Sequence, residues 1–82
     1  MDFEIEFKPR AWKDIASLHS TEARRVVARI ETLRNGLAGD IKRLTNFTPE
    51  YRLRVGSYRV LFQLEEKKII IYRILHRKDA YR

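Results

Sequence analysis

The residues with chemistry in them gather in the run Tyr51-Arg52-Leu53-Arg54-Val55-Gly56-Ser57-Tyr58-Arg59-Val60. Gly-Ser between two stretches of apolar–polar alternation is a two-residue hairpin signal. With that turn, Val55 pairs with Tyr58, Arg54 with Arg59, Leu53 with Val60 and Arg52 with Leu61. Successive strand side chains point to opposite faces, so Tyr51, Leu53, Val55, Tyr58, Val60, Phe62 and Leu64 are expected in a core. Arg52, Arg54, Arg59 and Gln63 then share the other side. Two guanidinium groups directly opposite each other cost stability unless an anion relieves them. A lone arginine on a solvated sheet face is explained well enough by solubility, with its stem lying over aliphatic neighbours. Here all three basic positions are Arg, whose planar fork suits bidentate phosphate contacts, and the hairpin is predicted to be an anion-binding surface.

The charge balance points the same way. Residues 1–40 carry seven Lys/Arg against seven Asp/Glu, and residues 41–82 carry eleven against four, so the whole formal excess of +7 lies in the second half. One-sided basic charge implies nucleic acid, an acidic protein or an anionic surface as partner. The absence of cysteine excludes a disulfide scaffold, a thiolate zinc site and a cysteine nucleophile, and fits a reducing cytoplasm. The acidic opening Met1-Asp2-Phe3-Glu4-Ile5-Glu6-Phe7 is unlike a secretory signal, and no apolar run is long enough to span a membrane.

Positioning the arginines requires a scaffold, and residues 1–82 read as one α+β domain, since 82 residues with 44% hydrophobic side chains support a single thin core. Phe3, Ile5 and Phe7 alternate with acids as in a half-buried strand. Pro9 suits the first turn of a helix that runs to about residue 18, with Trp12, Ile15, Ala16 and Leu18 at helical spacing. Ser20 or Thr21 is expected to cap a second helix, whose apolar face is Ala23, Val26, Val27, Ile30, Leu33 and Leu37, and Gly36 or Gly39 to end it. The two helices read as an antiparallel hairpin. From Ile41 short β-like runs follow: Ile41–Leu44, Tyr51–Val55, Tyr58–Leu64 and Ile69–Leu75. The order β-α-α-β-β-β implies an antiparallel sheet covered on one face by the helices. The connection at Glu65-Glu66-Lys67-Lys68 decides where Arg73 points: three residues place it beside Leu61 on the basic face, and two or four reverse it.

The tail His76-Arg77-Lys78-Asp79-Ala80-Tyr81-Arg82 has no apolar periodicity and is expected to fold back toward the arginines. His76 and Tyr81 are candidates for proton transfer or stacking. No phosphate-binding glycine loop, dinucleotide fingerprint, metal-ligand cluster or nucleophile elbow is present, so a metal or cofactor enzyme is not expected. Chemistry on RNA needs neither, because the ribose 2′-OH is a built-in nucleophile toward the adjacent phosphate. A protein then has to align the attack, stabilise the phosphorane charge and protonate the leaving oxygen.

The element order, the hairpin YRLRVGSYRV and the ending HRKDAY together resemble the RelE toxins of bacterial and archaeal toxin–antitoxin systems, over nearly the whole chain. The resemblance implies a cytoplasmic, metal-independent endoribonuclease without cofactor, which cleaves messenger RNA in the ribosomal A site and leaves a 2′,3′-cyclic phosphate and a 5′-OH. It also implies a monomeric toxin held in a hetero-oligomeric complex by a cognate RelB-like antitoxin. By resemblance, Arg52 and Arg54 stand where well-known members have lysines, one regarded as general base and the other as a stabiliser of the transition state. Arg59 matches the phosphate-binding arginine, Arg77 the arginine regarded as general acid, and Tyr81 the tyrosine that orients substrate. Arginine stays protonated, so the base role passes to His76, with Glu50 and Tyr81 as alternatives.

Two other readings compete. ParE-like toxins share the fold but act on DNA gyrase, and generally lack the basic hairpin with a terminal Tyr. A non-catalytic basic RNA- or ribosome-binding module would use the same arginines only to hold phosphates. A chain of net charge +7 that must be kept silent is expected to bind an acidic, partly disordered antitoxin, covering surface near residues 20–37.

Overall fold

A computed structural model describes residues 2–44 and 48–80. The chain forms β1 (Glu4–Phe7), α1 (Pro9–Ser17), α2 (Ser20–Glu31), a 3-10 turn (Thr32–Asn35), β2 (Ile41–Arg43), β3 (Tyr51–Val55), β4 (Tyr58–Glu65) and β5 (Lys68–His76). The sheet order is β1-β5-β4-β3-β2. The α+β class holds, with two differences from the expected sheet. Ile41–Arg43 is a true strand, paired antiparallel with β3, and β1 pairs with β5 in parallel, so the sheet has five strands and is mixed. The helices carry the chain from β1 to β2 at the opposite edge of the sheet, and the antiparallel run β2 to β5 brings it back to lie parallel beside β1.

One face of the sheet buries Leu53, Val55, Val60, Phe62, Ile69, Ile71 and Ile74 against Ala11 of α1, Val26 and Ile30 of α2, and Leu33. Phe3, Ile5 and Phe7 pack on the same cluster, as their alternation with acids predicts. The two helices cover that face together: α1 lies on β5 and β1, and α2 on β3. Pro9 does open α1, but α2 is preceded by His19 as cap residue, with Ser20 already inside the helix and no side-chain cap bond. The sharp link between the helices takes the extended residue at His19 and leaves Ser20 and Thr21 no capping position. Gly36 ends the second helical segment with φ of 144°, a value that side chains resist. Trp12 and Leu37 fall outside the core predicted for them. Trp12 is 55% exposed and stacks on Phe7 with ring centroids 4.4 Å apart.

The predicted β3–β4 register is observed pair for pair, from Val55–Tyr58 to Arg52–Leu61. Gly56 has φ of 57° at the first central position of the turn. The next connection is the two-residue turn Glu66–Lys67, with Glu66 also at positive φ. Alternation then fails once: Tyr72 has no partner on β4, and the register shifts between Phe62–Ile71 and Leu61–Arg73. The short turn would have turned Arg73 inward, and the bulge reverses that, so Arg73 lies opposite Leu61 after all.

Alternation on β4 gives a direct check. Phe62→Ala should cost about 3–5 kcal/mol, because a fully buried ring leaves a cavity. Leu61→Ala, one position away on the opposite face, should cost about 1 kcal/mol. Urea unfolding of both variants measures the difference.

Candidate nucleic-acid interface

The sheet face turned away from the helices is basic across three strands. Lys42 lies opposite Arg52 in the β2–β3 pair, and Arg54 lies opposite Arg59 in the β3–β4 pair. The Arg54 N–H points outward, donating to the Asp40 carbonyl at 2.9 Å. Arg54–Arg59 is therefore a non-hydrogen-bonded pair of the ladder, the type in which facing side chains approach most closely. The like-charge juxtaposition inferred from the hairpin is thus at its sharpest at this pair.

Arg59 is only 7% exposed. Its Nη1 donates to the carbonyls of Gly56 and Tyr58, each at 2.9 Å, which folds the guanidinium back against the turn. Its buried Nε has no hydrogen-bond partner among the described residues. A buried guanidinium N–H without an acceptor is unfavourable, and an anion satisfies both the charge and the donor. Arg54 is exposed, and Asp40 is its ion-pair partner at the loose distance of 3.9 Å.

The tail returns to the same turn. The Arg77 N–H donates to the Ser57 carbonyl at 2.7 Å, bringing the exposed Arg77 beside Gly56-Ser57. His76 goes elsewhere. It pairs with Tyr58, packs edge-on against that ring at 5.6 Å, and accepts the Lys78 N–H on Nδ1 at 3.2 Å. Tyr58 belongs to the core side, so the thickness of the sheet separates His76 from the arginines. Glu50 is also engaged. Arg43 binds its carboxylate at 2.9 Å, Gln63 Nε2 donates to it at 3.0 Å, and its own N–H donates to Gln63 Oε1. The Gln63 and Arg43 hydrogen bonds hold the Glu50 carboxyl below the usual glutamate range. Tyr81 lies outside the described residues.

Arg73, near the other end of this face, is neutralised: Asp14 of α1 binds its guanidinium and raises its pKa, chiefly through the hydrogen bond. Toward β1 the face becomes acidic, where Glu4, Glu6, Glu65 and Glu66 line a groove with Lys67, Lys68 and Ile70. A polyanion is thereby directed to the β2–β4 end. Three contributors escaped the sequence reading. Lys42 was visible in its short β-like run but not its partner strand, and Asp40 precedes that run in a glycine-marked loop. Arg25, off the apolar face of α2, has its guanidinium so close to Gly56 that a Cβ there would meet it at 3.4 Å.

Residues 5–81 match the family described as the ParE toxin of type II toxin–antitoxin systems. The protein "Putative toxin RelE1" of Methanocaldococcus jannaschii is 33% identical over all of this chain and 98% of its own length. The RelB–RelE antitoxin–toxin complex from Methanococcus jannaschii contains a chain with TM-score 0.77 and 31% identity, covering 93% of this chain and 94% of that one. The chromosomal ParDE system from P. aeruginosa contains another with TM-score 0.72 at 16% identity, covering 90% and 95%, a likeness of fold alone. The chain therefore belongs to the RelE/ParE superfamily of type II toxin–antitoxin toxins.

The Glu50 contacts set a pH dependence. A carboxylate whose folded pKa is lowered adds stability that is present above its unfolded value and lost as the pH falls through the folded one. The stability difference between the wild type and Glu50→Gln should therefore be constant above the ordinary glutamate value of 4.5 and shrink below it, as read from urea midpoints.

Proposed function

We propose that this protein inhibits translation as a ribosome-dependent messenger-RNA endoribonuclease, with the helix-free sheet face as its active surface. The observation that carries this reading is the close Arg54–Arg59 pair, with Arg59 buried and its Nε unpartnered among the described residues. A scissile phosphate placed there accepts from Arg59 and Arg54, and gains most when it becomes a phosphorane dianion, because the donors are held in place beforehand. The 2′-OH attacks that phosphorus, the bond to the 5′ oxygen breaks, and Arg77 beside the turn donates to the departing oxygen. Arg52 and Lys42 extend the contact to neighbouring phosphates. Tyr81 keeps the substrate-orienting role that the family resemblance gives it.

The proton of the 2′-OH passes to solvent in this scheme. His76 is turned to the other side of the sheet, and Glu50 is committed to Arg43 and Gln63 with its basicity lowered. Catalysis then rests on alignment and charge stabilisation rather than on a poised side-chain base. Metal and cofactor are absent from the scheme because RNA supplies its own nucleophile.

A cognate acidic antitoxin completes the proposal. The RelE relative of known structure stands in a complex with RelB, and a polyanionic segment is the natural ligand for a chain of net charge +7. Gyrase inhibition is the second reading, favoured by the ParE description of the matched family.

Induction in a bacterium lacking the antitoxin separates these readings. Arg59→Ala and Arg77→Ala should each relieve growth arrest, with a loss of cleavage of about 10²–10³-fold and native folding, whereas His76→Ala should stay within a few-fold of wild type. Arrest accompanied by a DNA-damage response and ongoing protein synthesis would instead select gyrase. Toxicity unchanged in both arginine variants would end the RNA reading.

A further inference from the structure

The phase of β5 changes once along its length. Ile69 and Ile71 are buried against the helices, and the next core residue is Ile74, three positions later. The change occurs at Tyr72, the residue without a partner on β4. A bulge adds one residue to one strand and re-aims the side chains beyond it. Without it, the two-residue turn at Glu66–Lys67 would send Arg73, Leu75 and Arg77 toward the helices, and Ile74 and His76 toward the arginine face.

Contacts from α1 and the residue before it hold this bulge. β1 stops pairing with β5 at Phe7–Ile71, so the Ile74 N–H opens on an edge that no strand covers among the described residues. Asp14 Oδ2 accepts that N–H at 2.9 Å. The same carboxylate takes Arg73 Nε at 2.7 Å and Arg73 Nη2 at 3.2 Å. The Lys8 ammonium lies 4.7 Å from the centre of the Tyr72 ring. Asp14 is 13% exposed, so its charge-assisted bonds are partly shielded from water and hold one geometry. All three residues of the irregular segment, Tyr72, Arg73 and Ile74, are thus gripped from the same side.

We propose that Asp14 is a positioning residue for the arginine face: by capping Ile74 and binding Arg73 it stabilises the bulge at Tyr72. That sets the phase in which β5 delivers Leu75 opposite Arg59 and Arg77 against Ser57. Asp14 touches no substrate; it acts through the strand. The oxygen that receives the Ile74 N–H fixes the register, and the charge on Arg73 tightens it. The functional part of this proposal rests on the reading of that face as the RNA site, while the structural part stands by itself.

Amide hydrogen exchange on the full-length protein tests it, with Asp14→Ala and Asp14→Asn beside the wild type. In Asp14→Ala, the Ile74 and Arg77 amides should exchange at least about tenfold faster, while those of the β3–β4 pair Leu53 and Val60 keep their protection. Asp14→Asn keeps an oxygen for the Ile74 N–H and should restore protection to within about threefold, and message cleavage should follow the Arg77 amide in both variants. Native Arg77 protection in Asp14→Ala, or equal loss in both variants, overturns the proposal. If Asp14→Ala does not fold, Asp14→Asn decides alone: retained Arg77 protection supports the proposal and lost protection refutes it. A wild-type protein that cleaves no message would remove the RNA reading, and the exchange comparison would still decide the role of Asp14.

Discussion

The Gly56–Ser57 turn fixes the register on which both sides of the sheet depend. Two residues, the first at positive φ, close Val55 onto Tyr58, and every further β3–β4 pair follows by counting. Leu53, Val60 and Phe62 then meet the helices, while Arg52, Arg54 and Arg59 fall on the opposite face. A slip of one residue would exchange the two sets and lose the core and the arginine cluster together. Stability and site are therefore tied to the same turn, and two arginines, Arg59 through Nη1 and Arg25 from α2, crowd around it.

The electrostatics of the face is a matter of which cations are neutralised. Asp14 takes Arg73, Glu50 takes Arg43, and Asp40 is loosely paired with Arg54. Arg73 and Arg43 are thereby neutralised, and the like-charge Arg54–Arg59 pair, one step from the turn, keeps only the loose Asp40 contact. The exposed Arg43–Glu50 and Arg54–Asp40 pairs add little stability, so their arrangement matters more for where a polyanion settles than for how firmly the chain folds. Arg59 differs from the rest because burial removes the water that would otherwise relieve its charge.

Local rules carried much of this and stopped where tertiary geometry took over. The β3–β4 hairpin and the Phe3, Ile5, Phe7 face were readable because a turn signal and period-two alternation are local. The partner of β1 and the Asp14–Arg73 contact are not, since each depends on residues about sixty positions apart, and the bulge at Tyr72 has no local sequence signal either. The side of the sheet that His76 occupies was hidden for the same reason: it depends on a turn length and a bulge that offset each other. Ser20 and Thr21 carried good capping chemistry, but the abrupt link between the helices moved the cap to His19. Trp12 had helical spacing with the core residues, yet it found a partner at the rim, in Phe7.

The central claim is that this face breaks RNA chains on translating ribosomes by stabilising the phosphorane, and the chemistry of the cut ends tests it most directly. The chain would be induced without its antitoxin and the 5′ ends mapped on a translated message and on a matched copy lacking a start codon. The account predicts new 5′-OH ends, paired with 2′,3′-cyclic phosphates, on the translated message alone. New ends carrying 5′-phosphate, or cuts equally frequent on both messages, would contradict it.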